Sequence, residues 1–157
     1  MHLARRDLLK MGGSLGLFAL TAGTGLLRAG RAWAAAAWNQ TAFSAKSVDE
    51  VVKALGGTSA SESSDIALTI PEIAENGAVV PVVIESKLAN TRSIIIMVEK
   101  NPSALSAVFD IPDGTDPYIG ARIKIGGTSK VYAMVKTDGG YYITSKQVKV
   151  TLGGCGG

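Results

Sequence analysis

The chain has 157 residues, with 16 Lys+Arg against 13 Asp+Glu, one His, one Cys and 19 Gly. That length suits about one domain. A single Cys excludes an intramolecular disulfide, a zinc ribbon and a four-cysteine cluster, and a single His makes a His-rich metal site a poor reading.

The formal charge of +3 invites a polyanion or an anionic membrane surface as partner, but the charge is unevenly placed. Residues 1–34 have the three parts of an export signal. These are the basic stretch Arg5-Arg6-Asp7-Leu8-Leu9-Lys10, an apolar stretch from Met11 to Leu27 broken by five glycines, and the small-x-small cleavage site Ala32-Trp33-Ala34. A membrane anchor is the competing reading. The apolar stretch is 17 residues long, short of the roughly 20 that span a bilayer. The paired arginines followed by Leu-Leu-Lys resemble a twin-arginine signal, with Leu8 where that family prefers Phe, and that pathway delivers folded proteins to the periplasm. Cleavage is expected near Ala34, with Ala34-Ala35-Ala36 as a second site. The signal accounts for five basic residues (Arg5, Arg6, Lys10, Arg28, Arg31) and one acid, Asp7, so the totals of 16 and 13 fall to 11 and 12, a net charge of −1. His2 leaves as well. Residues 35–157 then hold no imidazole for a Ser-His-Asp triad, a Cys-His dyad or a metal, which removes the commonest general base.

Within the expected domain, 35–152, the first element is a helix over 47–55. Ser47 caps it, Glu50 stands three residues on as in a capping box, and Gly56-Gly57 ends it. Val48, Val51, Val52 and Leu55 form one apolar stripe. Thr58 to Asp65 reads as a Ser-rich loop, and the signals beyond it are β. Strands are expected at Ile66–Ile70, ended by Pro71, and at Val79–Ile84, where Pro81 suggests an edge or bulge. Ser93–Val98 is apolar throughout and reads as buried. Ala104–Ile111 follows. Tyr118–Ile125 alternates, with Ile119, Ala121, Ile123 and Ile125 on one face. Gly126-Gly127 is a hairpin signal, Lys130–Lys136 a strand, Asp138-Gly139-Gly140 a second hairpin turn, and Tyr141–Leu152 the last strand. The pattern predicts an all-β protein, an immunoglobulin-like antiparallel β-sandwich of about seven strands preceded by one short helix. Glu75-Asn76-Gly77 reads as a β-turn rather than a catalytic loop. Asp113-Gly114-Thr115-Asp116 lacks the alternating acids of a calcium loop. Lys124, Lys130 and Lys136 read as a solvated face.

The chain ends Val150-Thr-Leu-Gly-Gly-Cys-Gly-Gly157. Gly153, Gly154, Gly156 and Gly157 have no side chain to bury, so 153–157 is expected to be a flexible, thin arm. Cys155 then sits at the tip of a tether that builds no active site of its own but can enter a cleft in another protein. Three readings compete with a reactive thiol: a buried structural Cys, an incidental free thiol, and an intersubunit disulfide. The exposure expected of this tail favours reactivity.

This terminus resembles that of the SoxY family, the sulfur-carrier subunits of the bacterial Sox thiosulfate-oxidation system. Pro71-Glu-Ile-Ala-Glu-Asn-Gly-Ala-Val-Val-Pro81, Arg122-Ile-Lys124 and Val135-Lys-Thr-Asp-Gly139 resemble other stretches of the family, and the likeness spans essentially all of 38–157. The resemblance implies a non-enzymatic periplasmic carrier with no cofactor, no metal and no catalytic residue. Sulfur intermediates would be held covalently on Cys155, and the carrier would pair with a SoxZ-like β-sandwich subunit. It also implies a c-type cytochrome complex that couples thiosulfate to the thiol, a hydrolase that releases sulfate and, in some systems, a sulfane dehydrogenase. Two other readings remain open. One is a thiocarboxylate carrier using the terminal Gly156-Gly157. The other is a periplasmic interaction module whose Cys forms an intersubunit disulfide. Neither nucleic acid nor, after signal cleavage, a membrane is an expected partner.

Overall fold

The structure is a computed structural model that describes residues 39–151. The expected signal at 1–34, the beginning of the domain, Leu152 and the arm at 153–157 lie outside the described residues. Among those described, no helix is long and apolar enough to cross a membrane.

Two short helices open the described chain, α1 (Gln40–Ser44) and α2 (Val48–Ala54), where the sequence pattern predicts one. Five residues are too few to show a period. α1 instead rests on its cap: the Asn39 side chain accepts from Ala42 N at 3.0 Å and donates to Ala54 O at 2.9 Å, tying α1 to the end of α2. α2 is the expected helix. Ser47 Oγ accepts from Glu50 N at 3.3 Å, but the Glu50 carboxylate reaches back to Lys46 N, one residue earlier than a capping box requires. Gly56 ends the helix at φ 87°, a conformation disfavoured for any residue with a side chain.

Nine strands follow in two sheets. They are β1 (Ala60–Glu62), β2 (Ile66–Thr69), β3 (Ile73–Ala74), β4 (Val80–Ser86), β5 (Thr91–Val98), β6 (Leu105–Asp110), β7 (Tyr118–Ile123), β8 (Ser129–Thr137) and β9 (Gly140–Val150). The larger sheet has the order β1-β9-β8-β5-β6 with β3 also on β9, and the smaller has the order β2-β4-β7. The seven longer strands are the expected ones. β1 and β3 are additions of three and two residues, and both pair in parallel with β9. β1 lies in the stretch expected to be a loop. Its Ser and Glu carry no β pattern, and only the long-range ladder makes it a strand.

Two further expectations change. Gly126-Gly127 is not a hairpin: β7 pairs with β4, so this loop carries the chain from the smaller sheet to the larger. Pro81 lies in the central strand of its sheet. β2 extends only to the Thr69↔Val83 pair, however, so at Pro81 the strand has β7 alone beside it. The edge condition that proline needs is met locally. Asp138-Gly139 is the expected hairpin turn, with Thr137 paired to Gly140. Asn76 makes the expected turn, its Oδ1 accepting from Ala78 N at 2.9 Å.

At β5 the larger sheet is buried on both faces. One face packs against the smaller sheet through Ile94, Ile96, Val98, Val131 and Val135 opposite Leu68, Val82 and Ile84. The other packs under the helices through Ile95, Met97 and Met134 against Ala42, Val51 and Val52. That is why β5 shows no alternation: residues 93–98 are all buried. Each fully buried Ile stabilises the fold by about 1.5–3 kcal/mol.

Candidate functional site

β9 delivers the chain to its C-terminus, and its last residues are held by neighbours other than β8. The β8–β9 ladder ends at Ser129↔Val148. Beyond it, Lys149 and Val150 pair with Ile73 and Ala74 of β3. Lys149 N donates to Glu72 O at 2.8 Å, Thr151 N donates to Ala74 O at 3.1 Å, and Val150 N donates to Thr128 Oγ1 at 3.1 Å. Thr151, the last described residue, is therefore tied to the sandwich by its own main chain.

The loops around this end are tied to one another as well. Asn101 donates from Nδ2 to Lys124 O at 2.8 Å and accepts from Gly126 N at 2.9 Å, joining the β5–β6 and β7–β8 loops. Ile125 N donates to Gly77 O at 2.7 Å. The buried Ser129 hydroxyl accepts from Lys100 N at 3.1 Å and donates to Lys130 O at 3.1 Å. Glu72, Ile73, Lys146, Gln147 and Lys149 line a shallow groove beside the end of β9, and Ile73 is 60 % exposed, so it serves no core.

The expected site residues, Cys155 with Gly153, Gly154, Gly156 and Gly157, lie outside the described residues. What sequence reasoning missed is the anchor for their root: β3, Thr128 and the Asn101 staple. A two-residue parallel strand has no period to read, and a lone Thr or Asn between strands looks like any loop residue.

The most strongly perturbed titration, at Arg92 and Asp138, lies away from this end. Arg92 makes a bidentate pair with Asp138, at 2.8 and 3.0 Å, and a further hydrogen bond to Asp113. The Asp138 hydrogen bond, then the Asp113 charge, hold the guanidinium still more firmly protonated. The same hydrogen bond holds the Asp138 carboxyl below the usual carboxylate range. Asp138 sits at the turn that starts β9, about 35 Å of strand from the root. Burial, then the neighbouring Glu99, push the Tyr132 hydroxyl up, so it stays a neutral donor. Among the described residues no group of His, Cys, Asp and Glu is placed to hold a metal ion.

The family model described as "Sulfur oxidation protein SoxY" matches residues 52–155, a span that closes on Cys155. The solved structure of the sulfur carrier protein SoxY from Chlorobium limicola f thiosulfatophilum is similar at 33 % identity and a TM-score of 0.62, covering 72 % of this chain and 99 % of its own. The superoxide reductase (neelaredoxin) from Ignicoccus hospitalis is similar at 17 % identity, covering 55 % and 80 %, with a TM-score of 0.49, too slight a likeness to bear on function. No curated protein matches.

Proposed function

The chain belongs to the SoxY family of sulfur oxidation proteins, and from that premise we propose that it is a sulfur carrier that holds thiosulfate-derived sulfur covalently on Cys155. The observation that carries the reading is the pairing of a fixed root with a bare tail. Thr151 is bonded to β3, and four residues later comes the only thiol in the chain, set among glycines. Those four residues reach at most roughly 13–14 Å, enough to lead a thiol into a partner's cleft while the sandwich stays outside.

The chemistry divides between carrier and partners. In the loading step the Cys155 thiolate and thiosulfate form an S–S bond. Cys–S⁻ plus S₂O₃²⁻ gives Cys–S–S–SO₃⁻ and two electrons, which a c-type cytochrome complex accepts. In the release step a hydrolase adds water to the sulfonate: Cys–S–S–SO₃⁻ plus H₂O gives Cys–S–S⁻, SO₄²⁻ and two protons. A sulfane dehydrogenase, where one exists, oxidises the remaining persulfide sulfur. A thiolate is the competent nucleophile for such exchanges. This chain supplies the attachment atom and its reach, and the proposed partners supply the catalysts. The reading places the carrier in the periplasm after twin-arginine export, paired with a SoxZ-like subunit.

The test is intact mass after incubation with thiosulfate and the cytochrome complex. The native chain gains a thiosulfonate adduct and Cys155→Ser gains none. A Cys155→Ser chain that still accumulates the adduct refutes the reading. A native chain that yields only a Cys155-linked dimer, with no adduct, favours the interaction module instead.

A further inference from the structure

One flank of the sandwich is finished; among the described residues the other is covered only at the start of β6, where Ala104 N donates to Ala45 O and Ser103 Oγ donates to Phe43 O. β9 carries β1 against residues 141–143 and β3 against 149–150. Among the described residues, β6 at the far side of the larger sheet pairs with β5 alone, and β7 in the smaller sheet pairs with β4 alone. These two edges line the same cleft, of about 400 Å³, between Ala107 and Phe109 of β6 and Arg122 and Ile123 of β7. Apart from the β5 ladder, no hydrogen bond among the described residues reaches the main chain from Ser106 to Asp110. An antiparallel strand spends only half of its N–H and C=O groups on one neighbour, so an outward row is left for an extended chain to complete.

β6 carries one of the usual protections of an edge and lacks others. Its ladder skips Ser106 between the Ile96↔Ala107 and Met97↔Leu105 pairs, a bulge near its start, but Leu105-Ser-Ala-Val-Phe-Asp110 contains no Pro and no Lys. Ser106 to Phe109 are all half-buried, whereas Ile96, Ile95 and Ile94, opposite Ala107, Val108 and Phe109, are fully buried. Across the cleft Arg122 and Lys124 are exposed, and the flank's own carboxylate is Asp110. A strand with carboxylates along its length would meet opposite charge at Arg122 and Lys124.

We propose that the β6 edge accepts an extended strand from a different β-rich subunit, whose carboxylates face Arg122 and Lys124 across the cleft. Strand addition supplies affinity through main-chain hydrogen bonds and specificity through alternate side chains. Asn101 closes this flank by holding Lys124 O and Gly126 N, in the same loop whose Thr128 holds β9. The Leu105 end of the added strand therefore lies at the same end of the sandwich as the root of the tail, across the larger sheet from β9.

The probe is the SoxZ-like subunit, so the inference rests on the partner reading above. The full chain is co-expressed with it, and hydrogen exchange is followed in the free chain and in the complex. Amides of β6 slow by about tenfold or more in the complex, while those of β8 are unchanged. Arg122→Glu, a solvent-facing change, and Ser106→Lys each weaken the complex about tenfold. A complex in which β6 exchanges as in the free chain overturns the proposal. So does concentration-dependent protection of β6 in the isolated chain, which assigns the edge to a second copy, and so does the absence of any complex. The Cys155 adduct mass, read on the same samples, reports the carrier reading separately.

Discussion

Deleting Gly153 and Gly154 changes the one length on which the carrier reading depends. The tether starts at Thr151, because that residue is bonded to Ala74 O. Cys155 is the fourth residue after it, a reach of roughly 13–14 Å. The deletion leaves two residues and about 7 Å. A reacting sulfur must come within about 3–3.5 Å of its partner, and even 1 Å of misplacement can cost on the order of 100-fold. Loading by thiosulfate and the cytochrome complex should therefore fall by about 100-fold or more. Inserting four glycines at the same place doubles the tether instead. Loop entropy charges only about 0.6 kcal/mol for a doubling, close to a threefold loss. The assay is the rate of adduct formation by intact mass, with a small aromatic disulfide as a control that needs no cleft and should react equally with all three chains. Loading of the deletion at the native rate would refute the tether, and so would an insertion that loses as much as the deletion.

Tyr141→Phe removes the hydroxyl that donates to Leu55 O at 2.6 Å. It should cost about 1 kcal/mol in denaturant unfolding and leave sulfur loading unchanged. Gly57→Ala places a Cβ 2.7 Å from Tyr141 Cδ2 and 2.9 Å from Val52 Cγ1. The overpacking should cost about 1–3 kcal/mol, less in a Tyr141→Ala background, which a double-mutant cycle measures. Thr128→Val removes the acceptor for Val150 N and should raise hydrogen exchange at Val150 and Thr151 before it changes global stability. Asp138 has its folded-state pKa depressed by Arg92. Its contribution is therefore present above the unfolded carboxylate pKa and is lost as pH falls through the lower folded value. Unfolding free energy measured against pH should show that acid limb in the native chain and a shallower one in Asp138→Asn.

The parts of this fold that were legible are those whose cause is local. The Ser47 cap, the Val51–Val52 stripe and the Asp138-Gly139 turn are each written within a few residues of where they act. The continuous apolar run of β5 announced burial, but not that helices cover one of its faces. That cover comes from α2, through Val51 and Val52, together with α1, whose evidence in the sequence is a single Asn cap. Gly126-Gly127 misled for a related reason: two glycines permit a tight turn without saying which strand the chain joins next, and β7 had already found β4. β1 and β3 were invisible because their strand character comes entirely from β9.

The same division runs through the candidate site. The proposed tail is written locally, because tether chemistry asks for so little: a thiol and small neighbours, adjacent in sequence. Its anchor was not readable, because Glu72, Ala74 and Thr128 reach Lys149, Thr151 and Val150 from 22 to 77 positions away. A carrier of this kind needs both halves. A bare tail on a fraying strand would have a reach that varied with the fraying. A pinned strand without the tail would have no reach at all. On the proposed carrier reading, the hydrogen bonds at Thr151 and Val150 bear on function as much as on stability, because they set where the reach of Cys155 begins.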